Sequence, residues 1–563
     1  MQSLLYYLKK NTLLFLLFFA GLVLIPFTGN VHLFDWDEIN FAECAREMIV
    51  SNSYHTVLLN YQPFWEKPPL FIWLQVLSMK IFGVNEFSAR FPNIINGLLT
   101  LCLLYYLGKK WYSKTFGILW ATLHLASILP HLYFRSGIID PWYNLFGLIA
   151  LISGIESIKT LEWKWSCIGG IALGLAVLTK GPAMVLIVTL TLLLVIVFQK
   201  IILTTKHWMN LITAIMVFLL TGSSWFLYEY FIGNTEIIKA FIDYQIRLFK
   251  TEDSGHSGFL LYHFIVVFLG CFPASVFALR YFSKTIQKDI YSFALMSLLF
   301  VVLIIFSMVK TKIVHYSSMS YYTVSFLATY VLNKDTAILK WQKILLLIMG
   351  IIIGIILITV GSIEHWKNWI IPILEKSDRF ATENLKTSVV WYGYEFLCGV
   401  VLIAVILWFI FQKQYNFSTI LKFFVIQILW ISMTINSYVG KIEQYTQASA
   451  IHFFQYCADK DIIVDTYGYK SYAYLFYGKR MPFNNIEQNK VNKYWNDLTN
   501  AGYEKLFSYN LACLNYLIYD DEKYPVCLVS KIQDEENVLK TGRFKKLYAK
   551  GGYVFFMKIK KLP

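Results

Sequence analysis

The chain has 563 residues, of which 57% are apolar and only 15% charged, with a formal net charge of +15. A charged fraction so far below the quarter typical of soluble domains excludes an ordinary soluble protein. The basic residues are spread over many short loops and form no single stripe with interleaved aromatics, which argues against nucleic-acid binding.

Apolar runs of roughly 17 to 22 residues predict about thirteen spans. In chain order they lie near 12–29, 92–108, 116–133, 141–157, 166–178, 182–198, 209–230, 259–279, 290–308, 316–332, 342–361, 393–412 and 418–436. The first follows Lys9 and Lys10 without a small-residue cleavage site, and reads as an uncleaved helix. Lys109, Lys110 and Lys114, then Lys159 and Lys164, Lys200 and Lys206, Arg280, Lys284 and Lys288, and Lys334, Lys340 and Lys343 mark alternate loops. The positive-inside rule makes those loops cytoplasmic. Loops 30–90, 232–258 and 309–315, and everything after 437, then fall on the opposite, external side.

In the first external loop, "DEINFAECAREMIV" carries Phe41, Ala45, Met48 and Ile49 at helical spacing, which predicts an amphipathic helix on or near the membrane surface. A second juxtamembrane helix begins at "KPPLFIWLQVLSMKIFG". After residue 437 hydropathy drops: "DIIVDTYG", "CLNYLIYDD" and "YPVCLVS" predict short strands, and "RFKKLYAKGGYVFFMKI" a terminal hairpin around Gly551 and Gly552. The division is a transmembrane part, 1–437, and an external α/β domain, 438–563. The eight cysteines form no CxxC pair and no metal-ligand spacing with histidine, and the chain has no P-loop or dinucleotide fingerprint.

Ionisable residues in the external loops are the candidates for chemistry. Asp37 and Glu38 open the first predicted helix, where carboxylates also serve as caps. Glu66 and Lys67 sit between an aromatic pair and Pro68-Pro69; they form either a solvated pair or a site, since a lysine at a helix start needs an anion to favour it. Arg135 and Asp140 share a short turn and could salt-bridge each other. Lys180 in "LTKGPAM" reads as a snorkelling lysine. Lys310, Lys312 and His315 put basic groups on the external side against the positive-inside trend, and His256 lies between glycines. Acids and bases from five separated loops thus converge on one membrane face, which marks a substrate path for an amphiphile bearing phosphate. A secondary transporter or lipid flippase is the rival reading, but it expects paired broken helices and charges at the bilayer midplane. A membrane scaffold would not need so many spans.

The ordered motifs "WDEINFAECAREM", "YQPFWEKPPLFIWL", "IFGVNEFSARFPN", "GLAVLTKGPA", "SGHSG" and "SMVKTKIVHY" resemble the bacterial aminoarabinose (lipid A) transferase and protein O-mannosyltransferase-like family. The resemblance covers about residues 1 to 335. It implies an α-helical polytopic membrane protein of GT-C type, a glycosyltransferase that takes a sugar from a polyprenyl phosphate. The acceptor would be lipid A, another glycolipid or a protein hydroxyl. The enzyme would sit in the bacterial inner membrane among membrane lipids, with its site and C-terminal domain on the periplasmic side. Position by position, the resemblance implies Asp37, Glu38 and Asp140 as catalytic groups. It implies Lys67, with Arg46, Arg135, Lys310, Lys312, His315 and Tyr316, as the surroundings of the donor phosphate. Glu66 and His256 would hold a divalent metal ion such as zinc. One position departs: where the family commonly has an arginine near the phosphate this chain has Asn40, for which Arg46 or Arg135 would compensate.

Overall fold

The computed structural model describes residues 11–35, 37–250, 258–283, 289–503, 505–520 and 524–559. Every predicted span corresponds to a helix or a pair of helices. Among the described residues, four helices are long and apolar enough to cross a membrane alone: Glu86–Trp111, Ile290–Met308, Lys340–Gly361 and Phe417–Thr446. Two others pass as bent pairs. Thr205–Gly222 with Ser224–Phe231 turns by 45°, and Tyr262–Gly270 with the segment ending at Phe282 turns by 110°, so the latter cannot cross as a straight rod. The span expected at 116–133 is likewise divided, into Lys114–Leu125 and Ile128–Tyr133. Helices in the bundle approach closely through small residues: a Cβ on Gly399 would collide with the Gly354 carbonyl of the neighbouring helix. Trp120, Phe277, Phe326, Tyr330, Phe409 and Phe423 fill the interior of the bundle.

The first external loop departs from its expected place. The helix Asp37–Ser51 is buried from Glu38 to Met48, and does not lie on a membrane surface with a wet polar face. It packs in one core with the Leu70–Phe82 helix and with Phe453, Phe454, Tyr474 and Phe555 of the C-terminal region. Its polar side is therefore satisfied by protein: Arg46 donates two hydrogen bonds to Glu43, at 2.7 and 2.6 Å, and a third to the Arg480 carbonyl at 2.6 Å. Glu47 accepts the backbone N–H groups of Asn60 and Tyr61, where a two-residue hairpin joins β1 (Leu58–Leu59) to β2 (Gln62–Pro63).

The Phe417–Thr446 helix runs through the expected division at 437 without a break and hands the chain to the Ala448–Asp459 helix. A four-stranded sheet follows, in the order β3 (Ile463–Tyr467), β4 (Val526–Lys531), β6 (Tyr553–Lys558) and β5 (Phe544–Lys550). β3 and β4 are parallel; the β5–β6 hairpin is antiparallel and turns at Gly551 and Gly552, both at positive φ as such a tight turn requires. Side chains alternate across the sheet: Cys527, Val529 and Phe555 face the first loop, while Leu528, Val554 and Phe556 face the other way. "CLNYLIYDD" is not a strand. It belongs to the helix Lys505–Tyr519, whose buried Tyr509, Ala512, Cys513, Tyr516 and Leu517 recur at helical spacing and cover the far face of the sheet.

Candidate active site

Helix ends bring several of the candidate charges together. Asp37 and Asp140 begin the helices Asp37–Ser51 and Asp140–Thr160, and Lys180 caps the C-terminus of Trp163–Thr179, each placement favoured by the helix dipole. The short 3-10 turn Val314–Ser317 carries His315 and Tyr316 between them. Lys180 Nζ lies 2.6 Å from Asp140 Oδ1, with the carboxylate 3% and the ammonium 19% exposed. His315 Nε2 stands 3.5 Å from Asp37 Oδ2 and 3.8 Å from Asp140 Oδ2, linking the two acids. Burial holds His315 below the ordinary imidazole pKa although both aspartates pull it upward, so at neutral pH the ring is uncharged. Asp140 Oδ2 is buried and has no hydrogen-bond partner.

That cavity, about 90 Å³, is lined by Lys67, Asp140, Tyr143, Lys180, Gln245 and Tyr316, among others. Lys67 donates to the Tyr244 hydroxyl at 3.3 Å, and Lys180 lies 5.0 Å from the centroid of the Tyr316 ring. Gly181 adopts φ +135°, with Gln245 packed where a side chain would go. Two cations and one carboxylate therefore line a small, mostly apolar space, and His315 links that carboxylate to Asp37. Such a set can hold a phosphate and accept a proton.

The structure separates the remaining predicted residues from this cluster. Glu38 is spent: its carboxylate accepts from Arg90 Nε and Nη2 at 3.0 and 2.8 Å and from the Phe34 and Gly137 amides at 3.0 and 2.5 Å. It ties the loop to the bundle and has no free lone pair for catalysis. Arg46 is consumed by Glu43 and Arg480, and Arg135 faces a different cavity, so neither supplies the guanidinium absent at Asn40. Lys312 is 7% exposed and donates to the carbonyls of Phe306, Ser307 and Val309, capping the Ile290–Met308 helix instead of meeting a donor phosphate. Lys310 is exposed and adjoins Val309 of the cavity wall. Glu66 turns away from its neighbour Lys67 and lines a separate space with Trp65, Tyr472 and Asp465, between the first loop and the C-terminal domain. His256 lies outside the described residues, and among those described no group of three or more His, Cys, Asp or Glu could hold a metal ion. Glu66 alone does not make a metal site.

Lys180 is the member that sequence reasoning passed over as a snorkelling residue. The signal was present: a lysine followed by Gly-Pro fixes the charge at a helix end and in a tight turn. Tyr143, Tyr244 and Gln245 carried no comparable local signal.

The whole arrangement is an α-helical, polytopic GT-C-type membrane fold with a small α/β domain. The chain superposes on the crystal structure of ArnT from Cupriavidus metallidurans bound to undecaprenyl phosphate with a TM-score of 0.77 and 16% identity, covering 98% of this chain and 99% of that one. The apo structure of the same protein gives 0.75 and 15%. In sequence, residues 66–225 match the dolichyl-phosphate-mannose-protein mannosyltransferase family. An undecaprenyl phosphate-α-4-amino-4-deoxy-L-arabinose arabinosyl transferase of Proteus mirabilis is 26% identical over 47% of this chain and 48% of its own length. A transferase of the same description from Pectobacterium carotovorum is 28% identical over 47% and 48%. The chain matches about half the length of these curated relatives. The chain is thus similar to aminoarabinose transferases in its fold and over about half of its sequence.

Proposed function

We propose that this protein is an integral-membrane glycosyltransferase that moves a sugar from a polyprenyl-phosphate donor to an envelope acceptor, lipid A or another glycolipid or a protein hydroxyl. The site would face the periplasm of a bacterial inner membrane. The observation that carries this reading is the chain of contacts from Asp37 through His315 to the Asp140–Lys180 pair, beside a cavity that Asp140, Lys180 and Lys67 line.

In this mechanism the donor phosphate lies between Lys67 and Lys180, and its prenyl chain follows the apolar wall formed by Met184, Ile187 and Phe306. The acceptor oxygen attacks the anomeric carbon, forming a new C–O bond while the bond to the donor phosphate breaks. The polyprenyl phosphate leaves with the bonding electron pair, and the two ammonium groups stabilise the charge that develops on it. Asp37, 38% exposed, receives the proton of an acceptor hydroxyl, and His315 fixes its orientation. A divalent ion at Glu66 would lie in the separate space that this residue lines, and no step above uses one.

Native mass spectrometry of the purified protein, wild type against Lys67→Ala, tests the donor class. A co-purified polyprenyl phosphate or its glycosylated form, lost in the variant, is the expected result, and its mass names the sugar. Bulk phospholipid alone in both proteins would favour the transporter reading.

A further inference from the structure

Arg135 follows the Ile128–Tyr133 helix and is 7% exposed, yet it has no counter-charge. Its Nε donates to the Thr28 hydroxyl at 3.3 Å, and its Nη2 to the Pro26 carbonyl and the Asn436 side-chain oxygen at 2.8 and 2.6 Å. All three acceptors are neutral. The remaining nitrogen, Nη1, is buried without a hydrogen-bond partner. The carboxylate of Glu38 in the same cavity wall is already neutralised by Arg90. Glu395, the other acid there, spends its two oxygens on the amides of Tyr392 and Gly393. A buried guanidinium left unpaired in this way is costly, and most such groups meet an anion.

The space it faces has a volume of about 320 Å³ and is also lined by Phe27, Tyr392, Tyr394 and Lys441. Phe27, Tyr392 and Tyr394 are 61%, 67% and 54% exposed, and Lys441 Nζ lies 4.3 Å from the centroid of the Tyr392 ring. The site sits just beyond the external end of the Thr12–Leu24 helix and against the last part of Phe417–Thr446. Exposed aromatics with a lysine at the end of a span mark the headgroup level of a bilayer. None of Lys67, Asp140, Lys180 and His315 borders this cavity.

From this geometry we infer a second anion site, in which Arg135 receives the phosphate of a membrane-lipid headgroup, separate from the cavity of Lys67 and Asp140. The inference is independent of the proposed transfer reaction. The guanidinium supplies the charge-assisted donor, Lys441 adds positive potential at the rim, and the apolar wall of Phe27, Leu132 and Ile435 accepts the first part of the acyl chains. The bound lipid would brace the first and last spans of the bundle where the external domain begins.

The test uses the full-length protein in neutral detergent, carrying Lys67→Ala so that the first cavity has lost one of its two lysines and the other remains paired with Asp140. Phosphatidylglycerol is titrated and bound lipid counted by native mass spectrometry, with diacylglycerol as the phosphate-free probe and inorganic phosphate as the acyl-chain-free one. Adding Asn436→Asp, nearly isosteric, sets a carboxylate against Arg135 and occupies its charge from within. Phosphatidylglycerol affinity is expected to fall about tenfold or more in the Asn436→Asp protein, and to fall also in Arg135→Gln if that variant folds. Unchanged affinity in Asn436→Asp, or diacylglycerol binding as tightly as phosphatidylglycerol, overturns the site. Inorganic phosphate that displaces the lipid only at much higher concentration supports a lipid source; phosphate binding equally tightly overturns the lipid and leaves a free anion as the occupant.

Discussion

Replacing Glu38 by glutamine distinguishes a structural carboxylate from a catalytic one. In the wild type each oxygen accepts two donors: Oε1 from Arg90 Nε and the Gly137 amide, Oε2 from Arg90 Nη2 and the Phe34 amide. Both partners of the ion pair are nearly inaccessible, with side chains 7% and 6% exposed. Burial pushes the Glu38 pKa up, but the charge and hydrogen bonds of Arg90 and the two amides outweigh it and hold the carboxyl below its ordinary value. Glutamine removes the charge and turns an NH₂ toward two donors, leaving Arg90 buried and poorly compensated. Breaking one partner of such a pair costs about 3 to 5 kcal/mol. The expected outcome is a clear drop in melting temperature of the detergent-purified protein, measured by intrinsic fluorescence. Turnover per folded molecule should stay close to that of the wild type. The same depressed pKa gives a pH signature: the contribution of Glu38 is present above the unfolded carboxyl pKa and is lost as pH falls through the lower folded value. The acid-side decline in wild-type stability should therefore be shallower in Glu38→Gln. Wild-type stability with abolished transfer would refute the structural assignment and return Glu38 to the chemistry.

Lys180→Met should lower transfer about a hundredfold or more and cost about 2 to 4 kcal/mol, because it strands Asp140 in a buried site; adding Asp140→Asn should recover much of the stability but none of the activity, by melting and donor-turnover assays on the four proteins. In the C-terminal domain, burial first, opposed by Arg480, pushes Asp465 up to about 6. The folded state thus holds that proton more tightly than the unfolded one. Its stabilisation is full below the unfolded pKa and declines as pH rises through the folded value. Relative to Asp465→Asn, the wild type should lose about 3 kcal/mol between roughly pH 4 and pH 7, read from paired denaturation curves. Lys312→Met removes the cap on the carbonyls of Phe306, Ser307 and Val309 and should cost about 1 to 2 kcal/mol while donor affinity, measured by lipid titration, stays unchanged; a large loss of donor affinity would contradict the capping role.

The amino-acid sequence by itself determined the apolar helices, because a run of apolar residues is a local property, and all thirteen predicted runs appear as helices or broken helices, four of them long and apolar enough to cross a membrane alone among the described residues. It also determined the terminal hairpin, since consecutive glycines between β-rich segments permit little else, and the charge bias of the loops singled out Asp37, Lys67, Asp140 and His315 as one group of candidates. What it could not contain is which charges neutralise one another. Glu38 and Arg90 are 52 positions apart, and Arg46 meets the carbonyl of Arg480 across 434 positions. Those pairings removed Glu38 and Arg46 from the candidate list, just as three carbonyls removed Lys312. Glu66 and Lys67 are adjacent in the chain, yet one turn of backbone sends them into different cavities. The C-terminal region decided the fate of the first loop: the Asp37–Ser51 helix has the amphipathic pattern of a surface helix, and only packing against Phe453, Phe454 and Phe555 buries it. Hydropathy is written residue by residue, whereas the pairing of buried charges depends on which distant segments meet, and that is settled only when the tertiary structure closes.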